Sequence, residues 1–266
     1  MEKKYWFVFC GDCLLLRRND DDGYSVPLEE NAPTQVREWT YIQELPELDG
    51  YPCVAYSVNT PIDITDSMRT VGLRESYALL PREHYIMAGK ASQLLYWDSC
   101  TKYCGVCGAP MRKNSVISKR CTNCGKEVWP QLAPAIIVRI TRGADVENKD
   151  DQEILLVSAK NFKRHTMFGL VAGFVETGET LEECVRREVL EETGIVVRNI
   201  QYFGSQPWPY PSGLMIGFTA DYESGELKLQ TSELNKGGWF KRNNMPDIPD
   251  KLSIARMLID DWLENG

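Results

Sequence analysis

Three glutamates, Glu188, Glu191 and Glu192, fall close together in the run from Gly173 to Ile195, GFVETGETLEECVRREVLEETGI. Thr180 followed three residues later by Glu183 makes a capping-box pattern, and Gly194 is a natural C-terminal stop. The spacing therefore predicts a helix from Leu181 to about Thr193, entered from a glycine-containing loop. On that helix the three carboxylates lie at i, i+3 and i+4 and converge on one face. Leu181, Val185 and Val189 project within the same half-turn, so two of the glutamates share the side that packs on the protein. Inward carboxylates are costly unless something positive pairs with them. Hard oxygen ligands clustered in this way suit Mg2+ or Mn2+, ions that also bridge the phosphates of a substrate. The alternative is an exposed, charge-rich helix with Arg186 and Arg187 as salt-bridge partners. It explains neither the glycines nor the facing.

A second constellation is built from sulfur. Cys104-x-x-Cys107 and Cys121-x-x-Cys124 are separated by thirteen residues, with Gly105, Gly108 and Gly125 where tight knuckle turns need them. Four thiolates at this spacing predict a closed, tetrahedral, structural Zn2+ site. Such a site contributes roughly 10–16 kcal/mol to the folding of small zinc modules, enough to replace a missing core. Cys100 is a rival ligand at a poorer spacing. Cys10, Cys13, Cys53 and Cys184 read as ordinary small core residues. The segment is also basic: Lys102, Arg112, Lys113, Lys119, Arg120 and Lys126 face only Glu127 between residues 99 and 128. Those charges either grip an RNA backbone or form a solvated face. A third feature is Ser205-Gln-Pro-Trp-Pro-Tyr-Pro-Ser-Gly213, in which three prolines stiffen a loop that carries Trp208 and Tyr210. A rigid aromatic of that kind can stack a planar base.

The elements that must position these residues follow from the apolar pattern. A chain of 266 residues with 43% hydrophobic residues can bury more than one core. Residues 1–97 alternate short apolar runs with turn signals and read as an N-terminal α+β domain, beginning with two strands joined at Gly11-Asp12. Residues 98–130 form the ribbon, and residues 131–266 the third domain. Within it Ala135–Thr141, Glu153–Ala159, Val196–Gly204, Leu214–Tyr222 and Trp239–Lys241 read as strands. An acidic loop spans Gly143–Gln152, a polar hairpin lies near Ser224–Leu229, and Leu252–Glu264 closes the chain as an amphipathic helix. Strands flanked by two helices predict an α/β/α sandwich. No internal repeat is evident. The net charge of −8 argues against broad attraction to nucleic acid or anionic lipid, and no apolar run reaches membrane-spanning length. Nine cysteines, several in C-x-x-C pairs, point to metal binding in a reducing compartment, with cytoplasm expected.

Gly173, Glu179 and the block Arg187-Glu188-Val189-Leu190-Glu191-Glu192-Thr193-Gly194-Ile195 match the Nudix box at every defined position. With the ribbon and a following SQPWPFPxS-like motif, the chain resembles the NADH pyrophosphatase subfamily of Nudix hydrolases, whose members also remove NAD caps from RNA. The resemblance covers most of residues 98–266 and, more loosely, the N-terminal region. Tyr210 and Gly213 depart from the motif, which has Phe and Ser there. The resemblance implies a Nudix fold and a metal-dependent hydrolysis of NADH or NAD+ to AMP and nicotinamide mononucleotide, together with cleavage of NAD-capped RNA. It implies two or three Mg2+ or Mn2+ ions held by Glu188, Glu192 and Glu233, with the carbonyl of Ala172 assisting. Glu191 and Glu233 are the candidates for the general base, and Arg187 would orient a box glutamate. Phe174 and Trp208 would sandwich the nicotinamide. Gln206, Pro207, Pro209, Tyr210, Pro211, Ser212 and Gly213 would complete the substrate loop, with Ala255 lining the site and Arg74 meeting a phosphate. Trp129 would close the pocket of a neighbouring subunit, so a homodimer is implied. A Nudix hydrolase for ADP-ribose or dinucleoside polyphosphates is the alternative of the same class. A non-catalytic, nucleotide-sensing module that binds nucleic acid is the alternative of another class.

Overall fold

A computed structural model describes residues 2–59, 67–143, 146, 148–160 and 166–265. The chain divides into two compact units. One comprises Met1–Leu132 with Trp208–Ser212, the other Ala133–Pro207 with Gly213–Gly266.

In the first unit the strands Lys4–Cys10 and Cys13–Arg18 form the expected hairpin, and Gly11 takes the left-handed conformation that the turn requires. Lys4–Cys10 also runs parallel to Tyr51–Val58, which pairs with Gln43–Leu48, and shorter strands complete a seven-stranded sheet. A 19-residue helix, Arg82–Cys100, packs on Gln43–Leu48 and Tyr51–Val58. Sequence periodicity does not reveal this helix, because its buried face includes His84, Ala88, Gly89, Ala91 and Asp98 among the larger side chains. It ends inside the segment assigned to the ribbon. The ribbon itself is a three-stranded sheet of Met111–Ser115, Ser118–Cys121 and Glu127–Val128.

The second unit is the expected sandwich. Its sheet runs in the order Val196–Trp208, Gly213–Ser224, Ala133–Arg142, Glu153–Ala159, Leu234–Phe240, with Val171–Phe174 added to Ala133–Arg142. Alternation along the central strands divides the core. Ile136, Val138, Ile140, Leu155 and Val157 meet Cys184, Val185 and Val189 of the Leu181–Thr193 helix. Ile137, Ile154 and Leu156 meet Ile254, Leu258, Ile259 and Trp262 of the Ile254–Asn265 helix. Burial on both faces is why these strands read as unbroken apolar runs.

Three boundaries differ from expectation. The strand that begins at Val196 continues to Trp208, so Gln206 and Pro207 are strand residues. The strand expected at Trp239–Lys241 begins at Leu234; Asn235, Lys236, Gly237 and Gly238 hide it from any hydrophobic count. The Ser224–Leu229 region is irregular coil after Ser224. Part of the acidic Gly143–Gln152 loop lies outside the described residues.

Candidate active site

The Leu181–Thr193 helix starts with the capping box that the sequence announces. Thr180 Oγ1 accepts from the Glu183 backbone N–H at 3.2 Å, and Glu183 Oε2 accepts from the Thr180 N–H at 2.8 Å. Gly194 ends it in the left-handed conformation. This fixes the rotation of the helix, and with it the facing of the carboxylates. Glu192 is 5% exposed, Glu188 is largely buried, and Glu191 is open to solvent.

Arg187 does more than orient one glutamate. Its Nε and Nη2 donate to the two carboxylate oxygens of Glu179 at 2.8 and 2.9 Å, and Nη2 also donates to the Phe174 carbonyl at 3.0 Å. Its Nη1 lies 3.0 Å from Glu188 and 3.2 Å from Glu191. One guanidinium thus ties the loop, the end of the preceding strand and two helix carboxylates together. This bond to Arg187 is the main reason Glu179 is held down to about 2. Spacing alone marks Glu179 as a box position without showing that it is the anchor for Arg187.

Gly173 has an equally local reason. It lies in Val171–Phe174 opposite Ile136, and a Cβ there would overlap the carboxylate of Glu188. The neighbouring Ala172 side chain packs on the opposite core, the cluster to which the C-terminal helix contributes.

Glu233 reaches the cluster through backbone pairing. The Lys228 N–H donates to the Thr193 carbonyl and the Gln230 N–H to the Glu192 carbonyl, each at 2.8 Å. The turn ending at Glu233 is therefore laced to the end of the box helix. Burial pushes Glu192 up to about 8, with further contributions from the charges of Glu188 and Glu233. Glu188 is also raised, first by burial and then by Glu191 and Glu233, against the opposing pull of Arg187. Among the described residues, no basic side chain is among the groups that act on Glu192. A buried carboxylate beside two more, with no cation acting on it among the described residues, has the donor set and charge of a divalent metal site.

Residues 206–213 divide between two tasks. Gln206 donates from Nε2 to the Leu252 carbonyl at 2.9 Å and accepts through Oε1 from the Ile254 N–H at 2.7 Å. Its amide caps the C-terminal helix, and Ala255 in the first turn of that helix is buried in the core. Pro207 is exposed, and Gly213 opens the next strand opposite Ala133. The loop Trp208–Ser212 belongs to the first unit. Pro209 lies against Gly89 of the Arg82–Cys100 helix, where a Cβ would come within 3.1 Å of the proline ring. The Tyr210 hydroxyl meets that of Tyr85 at 2.8 Å, and Ser212 Oγ donates to the Gln131 carbonyl at 2.8 Å. Arg74 lies over the rings of Trp208 and Tyr210, at 5.0 and 5.4 Å from their centroids. Pro211 is exposed and follows a cis peptide bond. Two further aromatics are open to solvent: Phe174 in the second unit, 65% exposed, and Trp129 in the first, 54% exposed.

The four expected cysteines converge, with all sulfurs within 4.8 Å of one another; Cys104 to Cys124 is 3.6 Å and Cys107 to Cys121 is 3.4 Å. Tetrahedral Zn–S bonds of about 2.3 Å place sulfurs about 3.8 Å apart, so the cluster fits zinc. Backbone N–H groups lower the Cys104, Cys107 and Cys121 thiols. Cys100 is exposed at the helix end and stands outside the cluster. Of the basic residues on this module, Lys119 is not at the surface. It is buried, 2.6 Å from Asp98, and donates to the carbonyls of Asp98 and Thr101. Lys102 also pairs with Asp98, Lys113 with Glu44 and Arg120 with Glu127. Four of the six basic residues are thus ion-paired; Lys119 is a packing element, whereas Lys102 and Arg120 keep more than half of their side chains exposed.

Comparison with known proteins matches residues 138–260 to a NUDIX domain and residues 3–97 to an NADH pyrophosphatase-like rudimentary NUDIX domain. The N-terminal region is thus similar to a rudimentary form of the domain, a likeness that the sequence hides because residues 3–97 carry no glutamate box. Among curated relatives, the NAD-capped RNA hydrolase NudC of Haemophilus influenzae is 39% identical, across 98% of this chain and 93% of that protein. NudC of Pseudomonas aeruginosa is 37% identical across 92% and 84%. NudC of Deinococcus radiodurans is 42% identical across 73% and 68%. With its intact glutamate box, its four-cysteine cluster and relatives along nearly its whole length, this chain belongs to the NudC family of Nudix hydrolases.

Proposed function

We propose that the protein hydrolyses the diphosphate of NAD(H) to AMP and nicotinamide mononucleotide, and cleaves the same diphosphate in NAD-capped RNA to release nicotinamide mononucleotide and leave a 5′-monophosphate RNA. The carboxylate cluster carries this reading: Glu192 is buried beside Glu188 and Glu233, with no basic partner among the described residues. Bound Mg2+ or Mn2+ would supply charge neutralisation for the diphosphate oxygens and a more acidic water. Glu188, Glu192 and Glu233 would hold these ions, with the Ala172 carbonyl as a further ligand. Arg187, anchored on Glu179, holds Glu188 in place, and Glu191 or Glu233 takes the proton of the attacking water. Phe174 and Trp208 are the proposed base-stacking rings. The Cys104, Cys107, Cys121 and Cys124 cluster would hold one structural Zn2+. The names of the relatives support the substrate, and Trp129 supports a homodimer in which each copy lends this exposed ring to the other. A cytoplasmic location and the absence of a membrane partner complete the proposal; no helix of the described residues is long and apolar enough to cross a membrane.

The test is turnover of NADH, NAD+, NAD-capped RNA, ADP-ribose and diadenosine polyphosphates with Mg2+ and Mn2+, for the native protein and Glu192→Gln. The variant is expected to lose at least about 100-fold in rate, as for loss of an aligned catalytic group. Equal or better turnover of ADP-ribose would overturn the substrate assignment, and an undiminished Glu192→Gln would overturn the site.

A further inference from the structure

The Trp208 ring has a charged neighbour. Arg74 is exposed, and its guanidinium lies over Trp208 at 5.0 Å and over Tyr210 at 5.4 Å from the ring centroids. The two rings meet edge to face at 5.1 Å, and the Tyr210 hydroxyl is pinned to that of Tyr85. The aromatic seat of Arg74 is therefore held by the Arg82–Cys100 helix. No carboxylate among the described residues forms an ion pair with Arg74; the adjacent Glu75 pairs with Arg69 instead. Among the described residues, the charge beside Trp208 has no carboxylate partner.

From this arrangement we infer that Arg74 discriminates between the redox states of the nicotinamide, disfavouring the cationic oxidised ring relative to the neutral reduced one. The inference rests on the assignment of Trp208 as a ring that stacks the nicotinamide. A bare tryptophan face attracts cations through its quadrupole and would favour the oxidised ring. Here the guanidinium already draws on that quadrupole from one face. A nicotinamide on the opposite face, at a stacking distance of about 3.5 Å, would place its positive charge roughly 8.5 Å from Arg74 with only the indole between. Two like charges at that separation repel by roughly twofold in binding under bulk-water screening and roughly 25-fold under the screening typical of a protein surface. The reduced ring carries no charge and escapes this penalty. An Arg74 that gripped a phosphate would act differently, because both dinucleotides carry the same diphosphate and would lose equally on its removal.

The experiment compares the full-length native protein with Arg74→Gln, Arg74→Lys and Trp208→Leu. KM and kcat are measured for NADH and NAD+. Calorimetry without added Mg2+ or Mn2+ measures binding of reduced and oxidised nicotinamide mononucleotide. Arg74→Gln is expected to shift the reduced-to-oxidised ratio toward the oxidised ligand by about fivefold, within the bounds set above, in KM and in binding, with kcat little changed. Arg74→Lys is expected to keep most of the native ratio. Equal losses on both ligands would overturn the inference in favour of a phosphate anchor, and an unchanged ratio would overturn it outright. If Trp208→Leu leaves the affinity for both mononucleotides unchanged, the stacking assignment beneath it fails instead.

Discussion

Replacing Gly173 by alanine tests the proposed metal site through a single methyl group. Gly173 lies in the extended strand Val171–Phe174 and not in the left-handed region, so alanine meets no backbone strain. The obstacle is the Glu188 carboxylate, which occupies the space that a Cβ would take. The strand is held by pairing with Ala133–Arg142, so the flexible side chain must yield. Restoring ordinary van der Waals contact requires the carboxylate to move by about 1.5 Å. Metal ligands tolerate displacements of only about 0.2 Å, and a 1 Å misplacement in an active site costs on the order of 100-fold in rate. A 100-fold loss corresponds to about 2.7 kcal/mol of transition-state stabilisation. Stability should stay within about 1 kcal/mol of native, since alanine is favoured over glycine in a strand by a similar amount. The assay is kcat/KM against Mn2+ concentration, with thermal melts alongside. Gly204→Ala, in a strand where nothing lies within 4 Å of an added Cβ, is the control and should be silent. A Gly173→Ala protein with native rate and native Mn2+ dependence would refute the placement of Glu188 over this strand. A melting temperature that fell in step with activity would reassign the glycine to strand packing.

Other perturbations address the supports of the site. Elemental analysis should find one zinc per chain, and Cys124→Ser should lose it and lower the melting temperature; a zinc-free native protein with an unchanged melt would exclude a structural ion. Lys119→Met should cost about 3 kcal/mol in urea unfolding, because it leaves Asp98 buried with Lys102 as its remaining ion-pair partner. If the same variant keeps full stability but loses affinity for capped RNA, the lysine is a surface contact after all. Gln206→Leu removes both hydrogen bonds that cap the Ile254–Asn265 helix and should destabilise by about 1–2 kcal/mol. A selective rise in KM with no change in stability would instead place its amide on the substrate.

Local chemistry was legible in the chain because it depends on short spacing. The capping box, the inward facing of two of the three box glutamates, the Gly11 turn and the four-cysteine cluster each need only a few residues and one conformational preference, although spacing alone did not single out Glu191 as the exposed one. The apolar runs around Ile136 and Ile154 likewise announced a sheet covered on both faces. The Arg82–Cys100 helix was not legible, since a buried face carrying glycine, histidine and aspartate leaves no hydrophobic period. Nor was the start of the strand Leu234–Phe240, read only from Trp239, whose polar and glycine-rich beginning is specified by pairing with Glu153–Ala159.

The sequence by itself determined a cluster of helix carboxylates and a sulfur site, because helical periodicity and knuckle turns act over a few residues. Only the tertiary structure decided where remote groups arrive. Backbone hydrogen bonds from Lys228 and Gln230 bring Glu233 to the box helix, and Glu179 becomes the anchor of Arg187. Burial turned Lys119 from an apparent surface charge into an internal ion pair, and the packing of Trp208 and Tyr210 gave the exposed Arg74 its aromatic seat. Charge and exposure are properties of the packed surroundings, and a one-dimensional pattern does not contain them.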